Sequence, residues 1–405
     1  MKKTKKFLRF FWLILMFFII FIFYFLQNSL NKNRLEKFVQ VNIEIEENEY
    51  NKVTVSDAKS FISAIEDDNI KIIQIENDID LGYNLLKENG IESDYITEHN
   101  QPLTHPRLKR SGISKIRIKN KDGLIICSKQ GNKILHANIV IEDSKNVKID
   151  NIKFEELWEW DEYTQANYSR NDWDYITIKN SDSINIKNCE FSKAYDGITD
   201  IKNSKNITIE YCKLNEINID EDEFFNEQFE ELEKNIDEYP MYNFLRKDVG
   251  LDINKIKELS SYQFKLYTIG TEDNCNKNEN IVIHDNMYFN IKTRIPLARN
   301  SSVYLYNIYA DQSKINYNII SKSDLWKIKR KYPKFVSLST HGIIAIQRAY
   351  VVEENCLYYG VKHRYTSYRG FSISNLGRII KKSKLNDLSC LKEYLQGKTG
   401  TKNLE

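Results

Sequence analysis

Six segments of this chain share one pattern, and no other feature restricts its fold as much. They read VKIDNIKF (147–154), INIKNCEF (184–191), ITIEYCKL (207–214), IVIHDNMYF (281–289), VYLYNIYA (303–310) and VVEENCLY (351–358). Each alternates β-branched and polar residues, reaches an Asn or a bulkier substitute, and resumes with an apolar residue. Period-two alternation is the signature of a strand with one buried face. The 184 and 207 copies start 23 residues apart, and the 281 and 303 copies 22 apart. Short strands recurring at such a period build a solenoid, one repeat per coil. The L-x-x-L-x-L signature of leucine-rich repeats is absent, which leaves a parallel β-helix. Aligned, the segments put Asn151, Asn188, Asn286, Asn307 and Asn355 in one column, with Tyr211 the exception. Asparagine amides stacked at a bend can hydrogen-bond from coil to coil. The next column is Ile152, Cys189, Cys212, Met287, Ile308 and Cys356, apolar and expected to point inward. The cysteines then read as small core residues, although a Cys189–Cys212 disulfide between adjacent coils is conceivable.

The repeats are interrupted. Residues 155–173 are rich in Trp and Tyr, and a larger insertion spans about 215–262. Its acidic first half, DEDEFFNEQFEELEKNIDE, has apolar residues near helical spacing, as expected of an amphipathic helix packed on the solenoid. A role in gating substrate or binding a partner is the other reading. Ahead of the repeats, VSDAKSFISAIEDDN predicts an amphipathic helix with Ser56 or Asp57 near its N-cap. The strand KIIQIEN follows. Such a helix would cover the open end of the coil, whose edge otherwise invites pairing. The tail beyond about 360 is basic and is expected to pack outside as loops and helix.

Residues 2–9 are basic and residues 10–26 are continuously apolar. That order implies a transmembrane helix with its N-terminus inside. Seventeen residues is at the short end for a span, and no A-x-A cleavage site follows. The expectation is a cytoplasmic flank and anchor over 1–34, with 35–405 as one domain on the extracytoplasmic face of the membrane, or secreted if the segment is cleaved. Residues 1–34 hold seven Lys/Arg and no acids. The remainder carries 52 basic and 57 acidic residues, net −5, so no global basic field for nucleic acid exists. With six Cys and six His but no C-x-x-C or H-x-x-x-H, a zinc site is not expected.

Chemistry concentrates in two acidic clusters and three cations. Asp172 and Asp174 lie in NDWDYITI, and Asp196 and Asp200 in AYDGITDI. Residues two apart at a strand's start project together, and Gly197 permits a tight bend. Coils stack about 4.8 Å apart, so the two clusters can meet around a hard cation such as calcium. Taken alone, they fit ordinary surface turns equally well. Lys265, Arg294 and Arg299 follow, in FKLYTIG and TRIPLAR. They are cations suited to an anionic substrate.

In this order, NDWDYITI, AYDGITDI, FKLYTIG and NIKTRIPLARNSSVYLYNIY resemble the pectate lyases of polysaccharide lyase family 1. The family pattern runs D-x-D-A-I, [D/E]-G-L-x-D, K-V-x-L-x-G, then R-x-P-R-x-R-x-G and H-x-Y-N-N. The resemblance covers about residues 50–360. It implies an all-β, right-handed parallel β-helix with an N-terminal helical cap. It also implies a Ca2+ site of Asp172, Asp174, Asp196 and Asp200, substrate binding by Lys265 and Arg299, and catalysis by Arg294. The implied reaction is β-elimination on a 1,4-linked uronic acid polymer, pectate foremost, by an enzyme expected to be monomeric. The family's middle arginine is Leu297 here, the glycine after its third arginine is replaced within Asn300–Ser301, and its W-I-D-H signature reads INIKN. Those departures motivate a second reading, a non-catalytic surface β-helix that binds acidic glycans. A hydrolase using paired carboxylates is a third, and it would leave the cations without a role.

Overall fold

The computed structural model describes residues 12, 15–19, 21–22, 38–46, 48, 51–91, 102–168, 171–271, 278–367, 378–382 and 390–403. The chain divides into two compact units, Met1–Val39 and Gln40–Glu405. In the first, residues 15–19 and 21–22 are helical. Most of the expected anchor lies outside the described residues. Among those described, no helix is long and apolar enough to cross a membrane.

The second unit is a coil of parallel strands. One face is an eight-stranded sheet. Its strands are β1 (Ser114–Lys119), β2 (Ala137–Glu142), β3 (Asp174–Lys179), β4 (Gly197–Lys202), β5 (Tyr267–Ile269), β6 (Leu297–Arg299), β7 (His341–Ile346) and β8 (His363–Thr366). A sixteen-stranded sheet wraps the remaining sides and contains all six repeat segments. Register stacks like on like. Ile141, Ile178, Ile201, Ile269 and Ala298 form one interior row. Val147, Ile184, Ile207, Ile281, Val303 and Val351 form another. Each such aliphatic side chain contributes about 1.5–3 kcal/mol by leaving water, so the alternation in sequence is also the interior of the coil.

The bends carry the polar ladders. Asn151, Asn188, Tyr211, Asp285, Asn307 and Asn355 all have φ between 50° and 61°. This is the left-handed region that Asn and Asp enter most readily after glycine. The expected column is therefore offset by one at its fourth coil. Asp285 takes the bend, and Asn286, expected there, occupies the interior column beside Cys212. Met287 pairs with Lys213 instead of lining that column. Asn286 is tolerated inside because its amide donates to Ile209 O at 3.0 Å and its carbonyl accepts from Cys212 N at 2.5 Å. At the bend, Asn307 donates to Asp285 Oδ1 at 2.8 Å. Cys189 and Cys212 are buried free thiols. Each Sγ lies near a carbonyl of its own coil, Lys187 O at 3.2 Å and Glu210 O at 3.3 Å, so no disulfide joins them.

The cap helix α1 (Ala58–Glu66) begins at Asp57, which accepts from Ser60 N at 2.8 Å in a reciprocal capping box. The expected insertion helix is α2 (Glu223–Lys234), which buries Phe224, Phe225, Phe229 and Leu232. It packs on the other insertion, with Trp158 edge-on to Phe225 at 4.9 Å and Trp160 edge-on to Phe229 at 6.4 Å. A further helix, α3 (Ile253–Ser261), leads back to the coil. The tail differs from expectation. Residues 363–366 and 378–382 add further strands to the two sheets. Only the last described stretch runs along the outside, where Thr401 N donates to Glu190 at 3.0 Å.

Candidate active site

All three large insertions leave the coil at one corner, between the end of the sixteen-stranded sheet and the next strand of the eight-stranded one. That corner collects the charged residues. β3 opens with Asp174 and β4 with Gly197, and the two are in register. Asp196 N donates to Trp173 O at 3.1 Å, locking the two strand entries together. Asp172 turns outward at φ 49°. As a result, Asp172, Asp174 and Asp196 each present an oxygen within 4.8 Å of the others. Gly197 is required here, since a Cβ on it would stand 2.3 Å from Asp174 Oδ1.

Three of the four expected ligands therefore converge. Asp200 lies outside that group, held by Lys202 Nζ at 2.6 Å. Its Oδ1 is buried and accepts no hydrogen bond among the described residues. Crowding sets the electrostatics. Burial, then the Asp200, Asp196 and Asp172 charges, raise the Asp174 carboxyl well above its usual range. Burial also pushes Asp196 up to about 6, against the opposing pull of Lys265 and Arg294. Asp200 is raised in the same way, with Lys202 opposing. Clustered carboxylates that resist ionising together, with one buried oxygen open beside them, suit an oxygen-ligated divalent cation.

The cations come from the following coils. Lys265 ends the short strand Gln263–Lys265, paired with Ile291–Thr293, and its Nζ is ion-paired with Asp196. Arg294 follows that second strand directly, at φ 66°, a conformation that costs energy in a non-glycine residue. Its guanidinium donates to Thr268 Oγ1 at 2.6 Å. Burial lowers the Arg294 pKa. Asp196 opposes this, while the nearby Arg299 charge adds to the lowering. Arg299 ends β6. Gly270, φ +88°, makes room for it, because a Cβ there would stand 1.9 Å from Arg299 O. Leu297, at the family's middle-arginine position, is buried in register with Thr268 and Ile344.

Three positioning residues escaped the sequence reading. Thr268 holds Arg294 and is in register with Asp200, which counting along KLYTIG could have shown. Lys202 holds Asp200. Lys292, buried, donates to Leu259 O at 2.6 Å and so ties α3 to the strand before Arg294. No sequence pattern marks that contact.

No family model matches the chain. Pectate lyase B of Paenibacillus amylolyticus is 37% identical over 291 residues, which are 70% of this chain and 74% of that protein. A pectate trisaccharide-lyase of Thermotoga maritima is 41% identical over a shorter stretch of 83 residues, 20% of this chain and 22% of that protein. Among solved structures, the pectate lyase pelN of Paenibacillus sp. 0602 superposes with a TM-score of 0.78 at 31% identity, covering 87% of this chain and 83% of that one. The pectate lyase of Acidovorax avenae subsp citrulli shares the fold alone, with a TM-score of 0.54 at 13% identity over 90% and 93% of the two chains. Identity sustained over most of both chains, on the same coil, makes this chain a polysaccharide lyase of the pectate lyase family.

Proposed function

We propose that the chain is a calcium-dependent lyase that cleaves 1,4-linked uronic acid polymers, pectate first among them, by β-elimination with Arg294 as base. One observation carries this reading. Arg294 is held by Thr268 in a half-buried place where burial and Arg299 favour its neutral form, beside a carboxylate cluster suited to a divalent ion. Asp172, Asp174 and Asp196 would hold calcium, with the open oxygen of Asp200 beside them. Calcium, when bound, supplies positive charge against the substrate carboxylate and so acidifies the neighbouring C5 proton.

The chain's own residues carry the remaining steps. Lys265 and Arg299 bind the C6 carboxylate and stabilise the enolate-like charge that develops on it. Arg294 takes the C5 proton. The C5–H electron pair becomes the C4–C5 double bond, the C4–O bond breaks, and the departing oxygen takes a proton from water. Arginine is ordinarily protonated, so a base role favours alkaline conditions. Lys265 is ion-paired with Asp196, and it would be available to the substrate carboxylate if that aspartate were to hold a cation instead.

The test is incubation of the protein with polygalacturonate and calcium, following the ultraviolet absorbance of unsaturated product. Absence of product from every uronan tried, or full activity in Arg294→Ala, would overturn the reading. The basic flank at 2–9 and the apolar run at 10–26 support anchoring with the lyase domain on the extracytoplasmic face. Protease accessibility of that domain in intact cells checks it.

A further inference from the structure

The last of the three corner insertions, residues 312–340, takes no part in the chemistry above. It contains the helix α4 (Lys322–Lys331), capped by Ser321, whose Oγ accepts from Asp324 N at 3.1 Å. One side of α4 is fixed to the molecule. Ile328 is buried, Leu325 packs on the core, and Lys331 lies 4.3 Å from the Phe244 ring of the preceding insertion. The opposite side is a stripe at positions i, i+4, i+7 and i+8, namely Lys322, Trp326, Lys329 and Arg330, all exposed. Trp326 has 65% of its surface in water, with the Arg330 guanidinium 5.5 Å from its ring centre. Among the described residues none of the three cations has a carboxylate at ion-pair distance.

Position gives the stripe a direction. α4 leads into β7, the coil after the one that carries Arg299 and three coils beyond the Asp196 coil. At about 4.8 Å per coil, that is on the order of 15 Å along the axis. Gln165 Oε1 accepts from Lys334 N at 3.0 Å, which brings the loop carrying the exposed Tyr163 up to the end of the same helix. The neighbouring insertion has the opposite sign and exposes Glu221, Glu223, Glu230, Asp237 and Glu238. A polyanion extending from the corner is repelled by one insertion and attracted by the other.

We propose that Lys322, Trp326, Lys329 and Arg330 form a second uronan-binding surface, separate from the catalytic corner. A long polygalacturonate chain rests the apolar face of a sugar ring on Trp326 and its carboxylates on the flanking cations. An indole offers a broad apolar face at low entropic cost, and arginine pairs with carboxylates in a fixed geometry. The proposal rests on the uronan reading of the active site. It predicts that chain length, not bond chemistry, is what this surface senses.

The test compares the full chain with Trp326→Ala and with the double variant Lys329→Glu/Arg330→Glu, all exposed positions. Retardation in a gel containing polygalacturonate is measured with chelator present, so that binding is read without turnover. The variants are expected to lose retardation. With calcium, their KM for long polymer rises about fivefold or more, while kcat and turnover of trigalacturonate stay unchanged. Retardation and KM equal to wild type in both variants overturn the proposal. So does an effect confined to retention by phosphatidylglycerol vesicles over neutral ones, which would make α4 a lipid contact. If wild type is retarded by polygalacturonate but cleaves none, the catalytic reading fails and the surface stands.

Discussion

In the proposed reaction Arg294 is the base, and its surroundings make separable predictions. Arg294→Ala should lower kcat by about 10³-fold or more with the fold intact by circular dichroism, as expected for loss of a general base that also carries charge. Thr268→Val removes only the hydroxyl that orients the guanidinium. A drop of about tenfold in kcat at unchanged KM is expected, and a change in KM alone would refute the positioning role. Gly197→Ala should weaken calcium binding about tenfold or more by calorimetry, because its Cβ collides with Asp174. The seven charged residues Asp172, Asp174, Asp196, Asp200, Lys265, Arg294 and Arg299 were legible in the sequence, since charge and motif order survive translation into structure. Thr268 and Lys202 were not. Thr268 acts through register with residues far along the chain, Lys202 pairs with Asp200 on its own strand, and a threonine or lysine on a strand has no local signature.

Among the elements, the cap, the bends and the insertions differ in how they advertise themselves. The Asp57 capping box was readable because N-cap chemistry is local. The left-handed bends were readable as a column but not in phase, because Asp285 satisfies the backbone requirement as well as Asn286 does. The insertions hold together through contacts that only folding creates. Phe229→Ala should cost about 3–5 kcal/mol, read as a lowered Tm.

His136 joins the cap to the first insertion through Asp80 at 2.8 Å and Glu156 at 3.4 Å. Burial works to lower its pKa, but the two carboxylates outweigh it and lift it to about 9 from 6.5. A raised folded value stabilises fully below the unfolded pKa and is lost as pH rises through the folded one. The stabilisation of His136 over His136→Asn should thus be on the order of 3 kcal/mol near pH 6 and largely vanish by pH 9.5. Comparison with the variant is needed because Lys292, lowered to about 7 by burial, acts in the opposite sense.

At the scale of the molecule, the coil aligns each turn with the next, so stability and site assembly are linked. Ligands that bind only the stacked coils should raise Tm on adding calcium and lose that gain with chelator; an unchanged Tm would argue against the carboxylate cluster as a cation site. The architecture was legible because a solenoid repeats its interior in the sequence. A buried row such as Ile141, Ile178, Ile201 and Ile269 is a periodic pattern before it is a structure. By itself, then, the sequence determined the strand period, the cap helix, the amphipathic insertion helix and which charged residues make up the candidate site, all of which rest on local spacing and side-chain chemistry. Only the tertiary structure decided which carboxylates meet, leaving Asp200 with Lys202. It also decided that Lys265 sits on Asp196 and that insertions of opposite charge leave from one corner. These depend on register between coils and on packing among segments distant in sequence, where a shift of one residue exchanges inside for outside.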